Sequence, residues 1–175
     1  MLRSEDLLAT GLRDRLEELR LEYLNSTTRI TITRDIPKLI VSGQVFEDVK
    51  KGSIIYVKQW LAQRLVEMNV AEWADKPPSL QQLMQLEWRE KNSPLELQTL
   101  PRYFYMESKR AASISGDERI RDMVRDIMTL RMAKIIQFAV KKMKSEVVKK
   151  LTPEEELLYD YVSRLVEEWE RGVMG

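Results

Sequence analysis

The chain has 175 residues, enough for one ordinary domain or two small ones, and 43% of them are hydrophobic, which is sufficient for a core. Its 29 basic and 28 acidic side chains leave a net charge of only +1, so no overall charge favours a polyanion. The absence of cysteine and histidine excludes thiol nucleophiles, disulfides, Cys/His zinc sites and imidazole catalysis. We therefore expect no enzyme activity, no cofactor and no metal site.

The composition also bears on where the protein works. Many lysine, glutamate and arginine residues, few glycines and no cysteine are typical of an intracellular protein from a thermophile. The amino terminus carries charges throughout and lacks the apolar core of a signal peptide. No stretch approaches the roughly 20 apolar residues that cross a bilayer. We expect a cytoplasmic protein without a membrane contact.

The first predicted element is an amphipathic helix over residues 4–24. Leucines recur at spacings of three and four between Leu8 and Leu19, and Tyr23 continues the series. Asp, Glu and Arg fill the intervening positions, so we expect one apolar face.

A small β unit is predicted next. Short apolar runs at 28–33, 38–41 and 53–57 are separated by turn residues, and alternation places Ile30 and Ile32 on one face of a strand. The following segment carries apolar residues at helical spacing, so we expect a helix that packs on the sheet. These are Trp60, Leu61, Leu65 and Met68.

The remaining chain is predicted to be helical. Ser79 is placed to cap a helix that ends at Asn92-Ser93-Pro94. Pro101 suits the first turn of another helix, and Gly116-Asp117 separates it from a long helix with a broad apolar face. Thr152 and Glu155 form a capping box that starts the last helix.

These elements predict an α+β fold that is mostly α, with a small β-rich N-terminal domain followed by an all-helical C-terminal domain. The predicted regions are an amphipathic helix at 1–27, a β-rich domain at 28–75, a helix and linker at 76–97, and a helical domain at 98–175.

The order of motifs resembles one known family. VKQWLAQRL at 57–65, PRYFYME at 101–107 and ERIRDMVRDIMTLRMAKI at 118–135 are similar to subunits of the GINS replication complex, in particular the archaeal two-three type. That type is the counterpart of the eukaryotic partner-of-Sld-five subunits two and three. Lys58-Gln59 stands where the family often has Pro-Leu, and the helix at 4–24 has no equivalent in many members.

This resemblance implies a non-catalytic structural subunit that scaffolds the replicative DNA helicase during initiation and elongation. It implies a heterotetramer with the five-one type subunit, two copies of each, packed mainly through helical domains. The implied further partners are the MCM helicase and a RecJ-like nuclease, and the implied location is the archaeal nucleoid at replication forks.

The aromatic segment that starts at Pro101 has two interpretations. Exposed aromatics beside basic residues could stack on bases, but at helical spacing such residues more often form a core or a subunit interface. Large apolar side chains on this helix and the long helix offer the most area to a partner. The candidate partner interface consists of Tyr103, Phe104, Tyr105, Met106, Ile127, Arg131 and Phe138.

Arg121, Arg125 and Arg131 could also be a phosphate clamp. Their spacing places only the first two on one face, and each has an aspartate nearby. Ion pairs with those aspartates are therefore the favoured interpretation.

A lysine-rich segment follows the long helix. It offers a candidate contact with DNA or an acidic partner, made by Lys141, Lys142, Lys144, Lys149 and Lys150. Residues 109–150 hold twelve basic and five acidic side chains, whereas 151–175 hold two basic and seven acidic ones. The two segments could instead face and offset each other.

The alternative function that this segment leaves open is a nucleic-acid-binding helical regulator.

The acidic clusters at 154–156 and 167–168 are not predicted to bind metal. Consecutive helical residues diverge by about 100° and do not converge on one ion. Capping and solvation account for these carboxylates.

Overall fold

The computed structural model describes residues 4–41, 43–143 and 148–175, with side chains from residue 11 onward. The helices are α1 Ser4–Asn25, α2 Gln59–Glu67, α3 Leu80–Asn92, α4 Phe104–Ser115, α5 Glu118–Val140 and α6 Pro153–Met174. The strands are β1 Thr27–Ile32, β2 Ile36–Val41, β3 Gln44–Val49, β4 Ile54–Lys58 and β5 Ala71–Trp73. The predicted α+β, mostly helical fold is confirmed.

The chain divides into two compact units. The helical unit contains α1 up to Leu19 together with residues 77–175, and the β unit contains residues 20–76. The predicted helix at 4–24 is confirmed as α1. The side chain of Leu8, with which its apolar series begins, lies outside the described residues.

The β unit has more strands than the sequence predicts. Strands β4, β1 and β5 form an antiparallel sheet in that order, and β2 pairs with β3 in a separate hairpin. The three predicted runs correspond to β1, β2 and β4, while β3 and β5 were not predicted. The apolar residues of β3 do not alternate, because the acidic Glu47 and Asp48 stand between Phe46 and Val49, and β5 is only three residues long.

The core of the β unit lies between the three-stranded sheet and α2. Ile30 and Ile32 are buried on one face of β1, as predicted, and they pack in one cluster with Leu61 and Leu65 of α2. Met68 lies just beyond the end of α2 and is exposed, so its predicted place on the helix is wrong.

The helical unit is built around α5. This helix packs against α3, α4 and α6. Leu83, Phe104 and Ile127 lie in one buried cluster of the unit. Ile135 and Phe138 lie in a second cluster further along α5. One face of α5 therefore forms the centre of the bundle.

Helix ends follow the predicted capping residues in most places. Ser79 and Thr152 each form a capping box, with Gln82 and Glu155 respectively as the reciprocal partner. Pro101 is not in the first turn, because α4 begins at Phe104 and the Pro101 carbonyl instead accepts a turn hydrogen bond from the Phe104 N–H, at 3.0 Å.

The turn between α4 and α5 lies at the predicted position. Gly116 ends α4 with φ of 64°, a left-handed conformation that glycine adopts without a steric penalty. Asp117 then caps α5 by accepting the Arg119 backbone N–H.

No helix in the described part of the chain has both the length and the apolar character needed to span a membrane.

Candidate interaction surface

Helix α5 has apolar side chains on two faces. One face is buried in the bundle, as described above. The second face is open to solvent and carries an exposed stripe at intervals of four residues. We call this stripe the α5 stripe: Met128, Met132, Ile136 and Val140. The predicted broad apolar face is thus present, and the described chain covers only part of it.

Other apolar residues of the helical unit are also exposed. Leu165, Trp169 and Val173 follow one another at spacings of four on α6, and Met84 and Trp88 do so on α3. An exposed tryptophan is unusual on a free surface and frequent at interfaces. The helical unit therefore presents several apolar strips, of which the α5 stripe has the most members.

Arg131 lies on the buried side of α5 and is fully enclosed. Its Nε and Nη2 donate to the two carboxylate oxygens of Glu155, each at 2.7 Å. Its Nη1 donates to Glu90 and to the Gln98 carbonyl, and its Nη2 also donates to the Lys150 carbonyl. This bidentate geometry is the strongest form of a carboxylate–guanidinium pair.

Lys134, one turn further along α5, completes this network. Its Nζ donates to the Glu90 carboxylate, to the Glu90 carbonyl at 2.7 Å and to the Glu96 carbonyl at 2.9 Å. With Arg131, Glu90 and Glu155, the buried network has two positive and two negative groups. Because the charges balance and the donors are paired, the burial cost of each charge is offset.

Tyr105 links α4 to the same network. Its hydroxyl donates to Glu155 Oε1 at 2.6 Å. Burial raises the pKa of the Tyr105 phenol, and the neighbouring Glu155 carboxylate raises it further. Burial lowers the pKa of Arg131, but the hydrogen bond and charge of Glu155 and the charge of Glu90 outweigh it, so the net shift is upward.

The candidate interface residues of the aromatic segment and α5 differ in exposure. Tyr103, Tyr105 and Met106 are half-buried at the start of α4. The other members are buried inside the helical unit, where they contact the chain itself: Phe104, Ile127, Arg131 and Phe138. Their role toward a partner stays a prediction.

The predicted arginine pairs were partly wrong. Arg125 Nη1 lies 3.6 Å from Asp122 Oδ1, as expected for side chains three residues apart on a helix. Arg131 instead pairs with Glu90 and Glu155, which come from α3 and α6. The sequence did not predict that either glutamate pairs with Arg131, because residues so far apart along the chain give no local signal.

The described lysines of the lysine-rich segment lie just after α5 and shortly before α6. Lys141, Lys142 and Lys149 are exposed, Lys150 is half-buried, and Lys144 lies outside the described residues. Lys142 Nζ donates to Glu170 of α6 at 2.7 Å. At least one lysine thus offsets the acidic last helix, and a nucleic-acid contact by the segment stays a prediction.

The acidic cluster at the start of α6 has structural partners. Glu155 closes the capping box and binds Arg131. Burial and Asp160 raise the pKa of Glu156, while Arg102 opposes that shift. Within the described ranges no group of three or more acidic side chains is arranged to hold a metal ion.

The sequence of α3 to α6 matches a known domain family. Residues 79–174 match the family model described as the GINS complex protein helical bundle domain. None of the curated proteins matches the chain. Because the match covers more than half of the chain and the whole bundle that surrounds α5, the protein belongs to the GINS family, whose members form hetero-oligomeric complexes associated with DNA replication.

Proposed function

We propose that the protein is a non-catalytic structural subunit, of the archaeal two-three type, that scaffolds the replicative DNA helicase. The observation that carries this proposal is the α5 stripe. Its residues lie on the helix at the centre of the family domain, yet the described part of the chain leaves them 39–51% exposed. A helical protein that has its own buried core and also an exposed apolar strip is typical of a subunit of a larger complex.

The proposed interface is the α5 stripe extended by Tyr103, Tyr105 and Met106 at the start of α4. Half-buried aromatic and methionine side chains are typical anchors of protein interfaces. The buried candidates would not contact the partner themselves. They would hold α4 and α5 in the positions that expose the proposed interface. These are Phe104, Ile127, Arg131 and Phe138.

The proposed partner at this surface is the five-one type subunit, in a heterotetramer with two copies of each chain. The MCM helicase and a RecJ-like nuclease are the proposed partners of the assembled complex. The proposed location is the cytoplasm of a thermophilic archaeon, at replication forks in the nucleoid. The rich content of lysine, arginine and glutamate supports the thermophile assignment.

Co-expression with the five-one type subunit tests the assembly. We expect a single species whose mass, measured by light scattering, corresponds to two copies of each chain. The chain expressed alone should self-associate, because its apolar strips then have no partner. A soluble monomer that does not bind the five-one type subunit would contradict the proposal.

A variant of the lysine segment separates the scaffold from a nucleic-acid-binding regulator. We expect replacement of the lysines by glutamine to leave the mass of the complex unchanged and to weaken DNA binding, if any, in a salt-dependent manner without sequence preference. Tight binding of the protein alone to one duplex sequence at physiological salt would favour the regulator. The lysines are Lys141, Lys142, Lys144, Lys149 and Lys150.

We propose that the helical domain at 98–175 binds the partner subunit and that the β-rich domain at 28–75 lies at the periphery of the complex. Helix α3, in the region 76–97, contributes Glu90 to the buried network of the helical unit. A truncated chain that tests the division should therefore begin at residue 77, so that it keeps α3 to α6 and lacks only the α1 part of the helical unit. We expect it to bind the five-one type subunit, and capture of residues 20–76 instead would contradict the division.

A further inference from the structure

Strand β4 is at the edge of the three-stranded sheet. The strand order β4-β1-β5 gives it a single neighbour, β1. Its pairing register with β1 runs from Thr27↔Lys58 to Thr31↔Ile54. One side of β4 therefore has no strand partner among the described residues.

The hydrogen bonds at both ends of the ladder show which residues face the free side. The Ile32 N–H donates to the Ser53 carbonyl at 2.9 Å, and the Gln59 N–H donates to the Ser26 carbonyl at 3.0 Å. In an antiparallel pair every second residue forms backbone hydrogen bonds to the neighbouring strand. The backbone N–H and C=O groups of residues 53, 55, 57 and 59 therefore point toward β1. The backbone N–H and C=O groups of Ile54 and Tyr56 consequently point away from the sheet.

The side chains of these two residues are also exposed. Ile54 is 56% and Tyr56 70% accessible on the outer face of the sheet, whereas Val57 is buried in the core. Natural edge strands are usually protected by proline, by a bulge within the strand or by charges along it. Strand β4 is five residues long, ends at the charged Lys58 and follows a bulge in which Gly52 and Ser53 both oppose Ile32, so its protection lies at the two ends and not at Ile54 to Val57.

Lysines flank this apolar edge. Lys50 and Lys51 precede β4, Lys58 ends it, and all three are exposed. Asp35 Oδ2 lies 3.9 Å from Lys50 Nζ, so the aspartate partly offsets the charge of Lys50. If two copies paired through β4 in antiparallel register, Lys58 of one copy would come near the Lys50-Lys51 pair of the other. In parallel register the Lys58 side chains would meet, so like charges disfavour self-pairing in both cases.

We propose that the free edge of β4 binds an extended segment of a partner protein by strand addition, and that this segment has alternating apolar side chains between acidic ends. The backbone groups of Ile54 and Tyr56 supply the ladder, their side chains contact the apolar residues, and the flanking lysines pair with the acidic ends. This surface belongs to the β unit and does not depend on the proposed role of the α5 stripe.

Amide hydrogen exchange on the full chain tests the proposal. The probe is a short synthetic peptide in which valine and threonine alternate between glutamates at both ends. At saturating peptide we expect exchange at the Ile54 and Tyr56 amides to slow roughly tenfold or more, because these amides gain hydrogen bonds. The Ile55 and Val57 amides, already bonded to β1, should change less. An absence of slowing at Ile54 and Tyr56 would overturn the proposal.

Matched peptides separate recognition of the backbone from recognition of apolar surface. One version carries N-methyl groups on the odd-numbered residues of the peptide, and the other carries them on the even-numbered residues. We expect one version to lose binding and the other to keep it, since only one set of amides faces β4. Equal binding of both versions would exclude strand addition. Equal binding of a peptide with glutamine ends would exclude the acidic requirement.

Protein variants locate the site. We expect Tyr56→Lys to weaken peptide binding roughly tenfold or more while the chain stays folded, because Tyr56 is 70% exposed and the interaction with Arg29 that the substitution removes lies at the surface. Ile40→Lys is the control, since Ile40 is 62% exposed but lies on β2 of the other sheet. Unchanged binding to Tyr56→Lys, or protection of the β2–β3 hairpin in its place, would overturn the site. Protection that rises with protein concentration without peptide would show that the occupant is a second copy.

Discussion

Arg131 has a structural role that its sequence context does not suggest. It stands on α5 among apolar residues, and the first expectation paired it with a nearby aspartate or a phosphate. The structure gives it two glutamates, Glu90 and Glu155, which lie 41 and 24 residues away along the chain. The sequence shows that α5 carries a charge at this position, and the structure places that charge on the buried face. Its partners depend on how α3 and α6 pack, which no local pattern contains.

Removal of the Arg131 guanidinium should strongly destabilise the chain. In Arg131→Met the two glutamates remain buried without their main counter-charge, so we expect a loss of about 3–5 kcal/mol in the free energy of unfolding. Denaturant unfolding measures this loss. The control is Arg125→Met, whose side chain is exposed near Asp122 and should change stability by about 0.5 kcal/mol or less. Similar small losses for both variants would show that the network contributes little.

Tyr105 gives a prediction about alkaline pH. Its pKa is raised in the folded chain, so its contribution to stability is fully present below the unfolded value of about 10 and is lost as pH rises toward the folded value. We expect the stability advantage of the wild-type chain over Tyr105→Phe to shrink above pH 10 by up to about 1.4 kcal/mol per pH unit. Denaturant unfolding of both proteins between neutral and alkaline pH checks this. A constant difference across that range would mean that the phenol is not held neutral.

At the scale of elements, capping residues were the most reliable sequence signals. Ser79 and Thr152 cap the helices as predicted, because a cap depends only on residues within one turn, and Asp117, predicted only to separate two helices, also caps one. Strand β3 was missed for a related reason. Asp48 has φ of 52°, so the strand contains a left-handed residue that breaks the simple alternation of apolar and polar side chains.

The cap of α6 should contribute measurably to stability, because Glu155 belongs to both the cap and the buried network. In Thr152→Ala the Glu155 N–H loses its hydroxyl acceptor, while the backbone N–H of residue 152 can still donate to the Glu155 carboxylate. We expect a loss of about 1–2 kcal/mol in the free energy of unfolding. Ser113→Ala on the exposed side of α4 is the control and should cost about 0.5 kcal/mol or less. Equal effects of the two substitutions would contradict a special role for this cap.

At the scale of the whole molecule, the order of a small β-rich part and a helical part could be predicted because periodicity changes from two to about 3.6 along the chain. The interface could not be predicted to the same depth. Periodicity identified the broad apolar character of α5, but it did not separate the residues that face the bundle from those that face water. Ile127 and Met128 are adjacent in sequence, yet the first is buried and the second is exposed.

The central claim is that the α5 stripe, and not the buried face of α5, binds another subunit. Its most direct test is the double variant Met132→Glu with Ile136→Glu, two positions that are each 39% exposed. Both positions are partly exposed, so the new carboxylates can reach water in the isolated chain and its unfolding free energy should change by about 2 kcal/mol or less in total. In the complex they would be buried without partners, so we expect affinity for the five-one type subunit to fall roughly a hundredfold or more.

The decisive measurement is the mass of the species formed on co-expression of this variant with the five-one type subunit. Ile40→Glu in the β unit, an exposed apolar position on another surface, serves as the control. The account predicts that the control yields the same hetero-oligomer as the wild-type chain and that the double variant does not. A double variant that is folded and assembles to the full mass with undiminished affinity would contradict it.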